Sequence, residues 1–422
     1  MKVVHIAYQY GLINTGGAAI AATRLHLALQ KYGIDSHYVC VYKRESGKNV
    51  HVLPDGWKRV LFLVLTKGLR RILKSVYAKK TVYLNIIPLF GLESLLARIR
   101  PDVVHVQWLN ADVMSFEQLG CLRRVFPRTH FVVNLHDFFM INAIEPYPRT
   151  DRRYVDGFDK RNSTWLERWL FRRKDCAIHQ LKNEETGGMG GAFVGPSEWI
   201  VKCCRQSIIG KGSRAYFLPN IIDSQFRRVP ICSRLGGKKF VLLYGAHKGR
   251  VNWSKGFDDL VQALACLPSE VSHQIELRVF GEYADDFEMN GIMVRFLGDI
   301  LDSTLLVKTY NESDGFAFPS REETQGMTKI EAMLCGLPVV AFDRTACAEG
   351  IEHGVSGWIA KDGDLIQYAE GIQWMFGLWK ENRLNSLRET ISERARRLFS
   401  QKDIVGKMAQ IYAEGVCRFR MG

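Results

Sequence analysis

The chain has 422 residues, of which 47% are hydrophobic, and it carries a formal net charge of +14. This length and apolar content are enough to bury two ordinary hydrophobic cores, so we expect two domains. No uncharged apolar run reaches the roughly 18–20 residues of a bilayer-spanning helix, and the cysteines form no Cys-x-x-Cys pair, which argues against a disulfide framework or a zinc site.

Strand and helix patterns alternate along the first half of the chain. The sequence begins directly with a strand pattern and has no signal-peptide cleavage site, so we expect a cytoplasmic protein. Apolar runs predict strands at 2–8, 36–42, 103–107, 131–135 and 192–194. Helical periodicity predicts helices at 18–32, 92–100, 115–124 and 198–206.

A basic helix is predicted over 57–80. The segment from Gly56 to Leu92 contains Lys and Arg residues but no acidic residue. At about 100° per residue, one face is apolar and the other is basic. The apolar face holds Leu65, Gly68, Leu69, Ile72, Leu73 and Val76, and the basic face holds Lys67, Arg70, Arg71 and Lys74. Such a helix suits an anionic membrane surface; the alternative is a helix packed on its own domain with a solvated basic face.

The excess of positive over negative charge is confined to the first half of the chain. Residues 1–225 hold 33 Lys and Arg against 18 Asp and Glu, whereas residues 226–422 hold 25 against 26. A second basic stretch, 149–174, contains interleaved aromatic residues and also favours a membrane surface. Nucleic acid is a poorer explanation of the charge, because no helix-turn-helix, RNA-binding or zinc motif accompanies it.

The second half repeats the alternation. Strands are predicted at 240–244, 275–280, 292–297, 315–318 and 338–342, and helices at 256–267, 303–309 and 327–335. Strands separated by helices indicate parallel sheets covered on both faces. We therefore predict an α/β protein of two doubly wound, Rossmann-like domains, 1–225 and 236–402, facing a cleft at the carboxyl ends of their strands. A polar, turn-rich linker is expected near 224–238.

The segment 319–342 carries the most specific motif. Glu323 lies in a loop, and Gly326 precedes a short helix in which Glu331 lies about one turn from the start. The free N–H groups of the first helical residues, Met327 and Thr328, suit a phosphate. The two carboxylates suit sugar hydroxyls. An anion site beside a polyol site predicts a nucleotide sugar as the ligand.

This motif, with the Pro-Ser before it and the Glu-Ala-Met-x-Cys-Gly-x-Pro-Val-Val continuation, resembles the signature of the retaining glycosyltransferases of family 4, of the bacterial surface-polysaccharide type. The resemblance implies the GT-B fold. It also implies that Glu323 holds the hydroxyls of the donor sugar, that Glu331 holds the ribose, and that a final helix at 403–422 crosses back to the N-terminal domain.

The resemblance further implies which residues grip the donor diphosphate. Gly16 and Gly17, in the turn after the first strand, match the glycine pair that approaches the diphosphate in this family. Lys255, in a Lys-Gly pair before a helix, matches a diphosphate-binding lysine. The second cation departs from the family pattern; Arg250 is our choice, and Lys248 is the substitute.

Three further candidates are two histidines and a pair of aspartates. His136 ends a strand beside Asp137 and is predicted to point into the ligand crevice, where the resemblance implies contact with the transferred sugar and a catalytic role; the alternative is a satisfied core histidine. His105 alternates along a strand and is expected to be structural or on the acceptor side. Asp362 and Asp364 have the spacing of a metal-binding pair, but they lie in a turn, and we expect no metal site.

The resemblance implies a glycosyltransferase, and the basic amphipathic helix adds the expectation that it works at the inner face of the cell membrane. It would move a sugar, with retention, from a UDP- or GDP-linked donor to a lipid-linked glycan acceptor, without a metal or another cofactor. Two alternatives stay open. One is a GT-B-fold nucleotide-sugar epimerase that shares the donor cleft. The other is a non-catalytic membrane- or nucleic-acid-binding protein on a transferase scaffold.

Overall fold

The computed structural model describes residues 1–13, 15–76, 82–182, 191–229 and 239–421. The chain divides into two compact units, the first formed by Met1–Ile221 with Lys402–Gly422 and the second by Ile222–Gln401. Most of the linker predicted near 224–238 lies outside the described residues, as do the last four positions of the helix predicted over 57–80. Within the described ranges, every helix is too short or too polar to cross a membrane.

The first unit is built on a seven-stranded sheet that is parallel throughout, with the order β3-β2-β1-β4-β5-β6-β7. The strands are β1 (Lys2–Tyr10), β2 (Asp35–Lys43), β3 (Val50–Val52), β4 (Val103–Trp108), β5 (His130–Asn134), β6 (Ala192–Gly195) and β7 (Arg214–Phe217). The helices are α1 (Gly17–Lys31), α2 (Gly56–Val76), α3 (Leu92–Ile99), α4 (Phe116–Val125), α5 (Arg153–Asp156), α6 (Trp165–Lys182) and α7 (Glu198–Gln206).

Helices cover both faces of this sheet. Val104 and Val106 on β4 join the apolar cluster that includes side chains of α3, α4 and α6. Their neighbour Val103 joins a different cluster, which includes Leu25 and Leu29 of α1. Because side chains alternate along a strand, a run of apolar residues indicates that each face is buried.

The second unit contains another seven-stranded sheet, with the order β10-β11-β9-β8-β12-β13-β14. Its pairs are parallel except for the antiparallel β10–β11 pair. The strands are β8 (Phe240–Gly245), β9 (Ile275–Phe280), β10 (Phe287–Met289), β11 (Ile292–Phe296), β12 (Gly315–Phe318), β13 (Val339–Asp343) and β14 (Gly357–Lys361). The helices are α8 (Phe257–Ala265), α9 (Ser269–Ser272), α10 (Ser303–Asn311), α11 (Met327–Leu334), α12 (Leu365–Lys380) and α13 (Leu384–Leu398).

The last helix, α14 (Gln401–Met421), packs on the sheet of the first unit. Its residues Ile404, Met408 and Tyr412 share an apolar cluster with Val3 and Val103. The C-terminal segment therefore contributes to the core of the unit in which the chain begins.

The prediction of two doubly wound α/β domains is confirmed, and the predicted central strands are present in both sheets. The patterns did not predict the four strands at the sheet edges, β3, β7, β10 and β14. An edge strand pairs on one side only, and β3 and β10 have three residues each, so neither produces a long apolar run.

Candidate functional site

The loops that follow β8 and β12 bring Lys255 and Glu323 together. These strands are neighbours in the second sheet and run parallel, so the loops at their carboxyl ends meet at the same edge. Lys255 Nζ lies 2.5 Å from Glu323 Oε1, and the Ser320 hydroxyl donates to the same oxygen at 3.2 Å. The two charged side chains are 23% and 11% exposed. They form a partly solvated cation–carboxylate pair that a ligand can reach.

Glycines begin the two helices on either side of this pair. A Cβ added at Gly256 would lie 2.0 Å from Pro319 O, and one added at Gly326 would lie 2.4 Å from Phe318 Cζ. Both glycines also have a positive φ, +66° and +79°. A larger residue at Gly256 would push the two loops apart, and one at Gly326 would displace the Phe318 ring, because a Cβ has no room at either position.

The starts of these helices differ in charge. The first turn of α8 contains Asp258 and Asp259, whereas the first turn of α11, which begins with Met327 and Thr328, has no acidic residue. The N-terminal N–H groups of a helix carry partial positive charge. The start of α11 is therefore the better site for an anion.

Glu331, the second carboxylate of the motif, is buried on α11. The Tyr310 hydroxyl on α10 donates to Glu331 Oε2 at 3.2 Å. Tyr310 is itself fully buried. No local sequence pattern singles out this tyrosine, because Tyr310 lies 21 residues from Glu331 along the chain.

The two candidates for the second cation differ in their surroundings. Arg250 is engaged by Glu282, which accepts from its backbone N–H at 3.1 Å and lies 3.5 Å from its guanidinium Nε. The guanidinium also lies over the ring of Phe296 at 5.4 Å. Lys248 is exposed and has a positive φ of 51°. The choice of Arg250 over Lys248 stays a prediction.

Asp362 and Asp364 have structural partners. The Arg344 guanidinium lies 3.0 Å from Asp362 Oδ1. Asp364 caps α12 by accepting from the backbone N–H of Gln367 at 3.0 Å. Among the described residues, no group of three or more His, Cys, Asp and Glu side chains is placed to hold a metal ion.

In the first unit, the glycine pair lies at the start of α1. Gly17 is the first residue of the helix, and Gly16 precedes it with a φ of −76°. A Cβ added at Gly16 would have no atom within 4 Å. Neither backbone strain nor packing therefore requires a glycine at position 16. The space beside the backbone at this position is open. The preceding Asn14 lies outside the described residues.

His136 follows β5 and is buried in a network of polar side chains. Its Nε2 lies 3.0 Å from Gln107 Oε1 and 3.2 Å from Asn134 Nδ2. Burial lowers the pKa of His136 to about 4, so the ring is neutral at pH 7.

Gln107 extends this network toward α14. Its Nε2 lies 3.1 Å from His105 Nδ1, which is 2.6 Å from the Tyr412 hydroxyl. Burial lowers the pKa of His105 to about 3. This placement favours the structural alternative for His105.

A buried lysine lies behind the segment that follows His136. Lys174 on α6 is fully buried, and its ammonium donates to three backbone carbonyls. The acceptors are Phe139, Asn142 and Ala143. Desolvation by burial lowers the pKa of Lys174 well below its usual value. Lys174 belongs to the basic stretch that was predicted to favour a membrane surface, but it lies in the interior and holds the backbone there.

Two other cations of the second basic stretch are paired with acidic side chains. Arg153 bonds to Asp151 and Glu167, and Arg173 bonds to Glu117. Paired cations attract a membrane less strongly than free ones do. The exposed cations of this stretch are Arg149, Arg152, Lys160, Arg161 and Arg172, and the membrane prediction for the stretch depends on them.

The predicted faces of α2 need correction. Arg70 does not lie on a solvated basic face: its Nε is 3.0 Å from Asp112 Oδ2, and its guanidinium lies 5.7 Å and 5.3 Å from the rings of Tyr8 and Tyr83. By contrast, Lys67, Arg71 and Lys74 are exposed.

The apolar residues of α2 are divided between two directions. Phe62 is buried and Leu69 packs against the core. Four others face outward, and we call them the outer α2 stripe: Trp57, Val60, Val64 and Ile72, which are 72%, 64%, 63% and 64% exposed. Leu65 and Ile72, which were predicted to share a face with Leu69, are exposed instead.

Comparisons with known proteins agree with this fold and with a glycosyltransferase family. A family model described as "Glycosyl transferases group 1" matches residues 242–377, and one described as "Glycosyl transferase 4-like domain" matches residues 16–185. The chain is 28% identical over 420 residues to an uncharacterized 41.2 kDa protein in the cps region of Klebsiella pneumoniae, and the match covers 98% of this chain and 99% of that protein.

A second relative matches over a shorter region. The capsular polysaccharide biosynthesis glycosyltransferase CapM of Staphylococcus aureus is 26% identical over 160 residues, which are 36% of this chain and 40% of that protein. Among solved structures, Anabaena HepE in complex with UDP and glucose superposes with a TM-score of 0.60 at 16% identity, covering 98% of this chain and 99% of that chain. This likeness supports the predicted fold.

Proposed function

The chain belongs to the glycosyltransferases of the GT-B fold, and we propose that it transfers a sugar with retention from a UDP- or GDP-linked donor to a lipid-linked glycan in surface polysaccharide biosynthesis. The observation that carries this proposal is the Lys255–Glu323 pair beside the start of α11. A nucleotide sugar joins a diphosphate directly to a polyol, so its site needs a cation and a carboxylate side by side. The role of CapM in capsular polysaccharide biosynthesis and the UDP bound to HepE support the acceptor and donor classes.

The chemistry follows from the charges. The Lys255 ammonium and the N–H groups at Met327 and Thr328 would stabilise the negative charge that develops on the departing diphosphate. Glu323 would hold the donor sugar through its hydroxyls, and Glu331 the ribose. The departing oxygen would take the acceptor proton on the same face, so no side chain acts as a nucleophile. Since these groups supply the positive charge, the reaction needs no metal.

His136 would contact the transferred sugar as a neutral imidazole. Because burial keeps its pKa at about 4, the ring offers a hydrogen bond rather than a positive charge at pH 7. Its bond to Gln107 fixes the orientation of the ring. Gly16 and Gly17 would let the diphosphate approach the backbone, because neither residue has a side chain and the space beside Gly16 is open.

The membrane proposal rests on the outer α2 stripe together with the exposed cations Lys67, Arg71 and Lys74. An exposed surface that is both apolar and basic matches the boundary between acyl chains and anionic headgroups. Three cations offer about 3 kcal/mol of attraction to such a surface. Docking of this helix at the inner face of the cell membrane would hold the enzyme where a lipid-linked acceptor has its reactive end.

A ligand screen tests the proposed function. Purified protein is heated with UDP, GDP and their sugar derivatives, and the melting temperature is followed, because a ligand that binds only the folded state raises it. The nucleotide sugar that gives the largest shift is then assayed for release of free nucleoside diphosphate. A raised melting temperature with slow donor hydrolysis supports a transferase. If no nucleotide shifts the melting temperature and no donor is hydrolysed, the proposal is wrong.

A further inference from the structure

Lys329 is a charged residue in the interior of the second unit. It lies on α11, between the two glutamates of the motif, and it is 1% exposed. Its Nζ donates to three backbone carbonyl oxygens of one loop, those of Ala346 at 2.9 Å, Cys347 at 2.9 Å and Glu349 at 2.7 Å. Burial of an ammonium is costly unless every N–H has an acceptor. This loop supplies all three.

The same loop holds the main chain around Glu323. The Thr345 hydroxyl accepts from the Glu323 N–H at 3.2 Å, and the Ala346 N–H donates to the Glu323 carbonyl at 3.3 Å. The Cys347 thiol donates to the Ser320 carbonyl at 3.2 Å. The segment that carries Glu323 is thus attached at three points to the loop that surrounds the Lys329 ammonium.

We propose that Lys329 is a positioning residue that fixes the Glu323 carboxylate through the 345–349 loop. This inference rests on the proposed function of Glu323 as a ligand of the donor sugar. The three carbonyls turn inward toward the ammonium, which orients the adjoining peptides and places the Thr345 hydroxyl and the Ala346 N–H against Glu323. An apolar residue in place of Lys329 would leave buried carbonyls without a donor, so the loop would rearrange.

Loss of a proton from the Lys329 ammonium is expected to weaken its hold on the 345–349 loop. Burial lowers the pKa of Lys329 to about 8, while the Cys347 thiol, Glu349 and Glu323 raise it. A neutral amine has two N–H donors and cannot serve three carbonyls. Turnover should therefore decline above about pH 8 if the loop needs the ammonium.

Two variants test the proposal. Lys329→Met removes the ammonium, and Thr345→Val removes the hydroxyl that accepts from Glu323 while keeping the buried charge. Hydrogen–deuterium exchange is measured on peptides that span 319–327 and 344–350, together with kcat for donor hydrolysis and the affinity for UDP. In Lys329→Met we expect faster exchange in both peptides and a decrease in kcat of about tenfold to a hundredfold. UDP affinity should change little, because UDP lacks the sugar that Glu323 contacts.

Lys174→Met is the matched control, since Lys174 also donates to three backbone carbonyls but lies in the first unit. Lys174→Met should lower the melting temperature, but it should change neither the exchange of the peptides 319–327 and 344–350 nor the affinity for UDP. Thr345→Val should lower kcat while keeping the wild-type melting temperature. If Lys329→Met does not fold, Thr345→Val is the variant that tests the proposal.

The proposal is overturned if folded Lys329→Met keeps the wild-type kcat, or if hydrogen–deuterium exchange near Glu323 is unchanged in this variant. If only Thr345→Val folds, unchanged exchange and kcat in Thr345→Val overturn the proposal as well. A failure of the proposed function has a different signature, because the wild-type protein would then bind no nucleotide and hydrolyse no donor.

Discussion

The Lys255 ammonium nitrogen and the Glu323 carboxylate oxygen Oε1 lie 2.5 Å apart, although 68 residues separate them in the sequence. The contact joins the loops after two neighbouring parallel strands, β8 and β12. The Ser320 hydroxyl donates to the same carboxylate oxygen, which limits the positions that the Glu323 side chain can adopt. Each member of the pair is therefore oriented by the other, in the part of the unit where the donor is proposed to bind.

Replacement of three charged residues, one at a time, should separate donor binding from turnover. Lys255→Ala and Glu331→Ala should weaken nucleotide binding, whereas Glu323→Ala should mainly lower kcat. Each lost charge-assisted hydrogen bond is worth about 1.5–3 kcal/mol. Calorimetric titration with UDP and GDP, together with donor hydrolysis, checks this prediction. Three folded variants with the affinity and rate of the wild type would disprove the site assignment.

Activity should survive an excess of chelator. Lys255 and the N-terminus of α11 supply positive charge at the proposed diphosphate site, and Asp362 is already paired with Arg344. Donor hydrolysis is measured in EDTA and after addition of Mg²⁺ or Mn²⁺. Complete loss of activity in EDTA with recovery on Mg²⁺ or Mn²⁺ would show that the reaction uses a metal.

Replacement of two neighbouring arginines on α2 should affect different properties, stability in one case and vesicle binding in the other. Arg71 is exposed and Arg70 is bonded to Asp112, so Arg71→Gln should weaken binding to anionic vesicles and Arg70→Gln should mainly lower stability. Vesicle sedimentation and thermal melting distinguish the two effects. Attraction to the vesicles should also decrease as salt increases, because the exposed charges are screened.

The outer α2 stripe provides a second test of the membrane surface. Val64→Ser and Trp57→Ser should reduce vesicle binding without a large loss of stability, because both side chains are more than half exposed. Donor affinity serves as the control and should stay at the wild-type value. Equal vesicle binding by the wild type and by the combined Trp57→Ser, Val64→Ser and Arg71→Gln variant would show that α2 does not dock on lipid.

Stability should decrease as the pH falls from about 6.5 to 4. Burial lowers the pKa of His26, His130 and His136 to about 4, whereas the same side chains in the unfolded chain have the ordinary value of 6.5. In this window the unfolded state binds more protons, so the free energy of unfolding is largest above pH 6.5 and is lost toward pH 4. A shift of this size is worth about 3 kcal/mol for each group.

Urea unfolding at a series of pH values measures this dependence. Replacement of His26 by Gln should reduce its slope. The control is His247→Gln, because that side chain is 77% exposed in the folded protein. A free energy of unfolding that does not change between pH 7 and pH 4.5 would contradict the prediction.

The local motifs of the segment 319–342 could be predicted from the sequence, but the buried contacts that hold this segment in place could not. Gly326, the start of α11 and the position of Glu331 follow from short-range patterns, since glycine and helix starts act within a few residues. The roles of Tyr310 and Lys329 depend on which distant groups they meet. Tyr310 contacts Glu331 and Lys329 contacts a loop 17–20 residues further along the chain, and no spacing rule predicts either contact.

The sequence by itself determined the fold class, because buried parallel strands and the helices between them leave apolar runs and periodicity along the chain. Helical periodicity also placed apolar and basic residues on opposite sides of α2, but this division does not match burial, because Leu65 and Ile72 are exposed and Arg70 is bonded to Asp112. Only the tertiary structure decided which side is turned inward, since that depends on Asp112, Tyr8 and Tyr83, which surround Arg70 from other parts of the chain. Sequence patterns record the burial of a segment, whereas the partner of each charged side chain is chosen by the packing of distant segments.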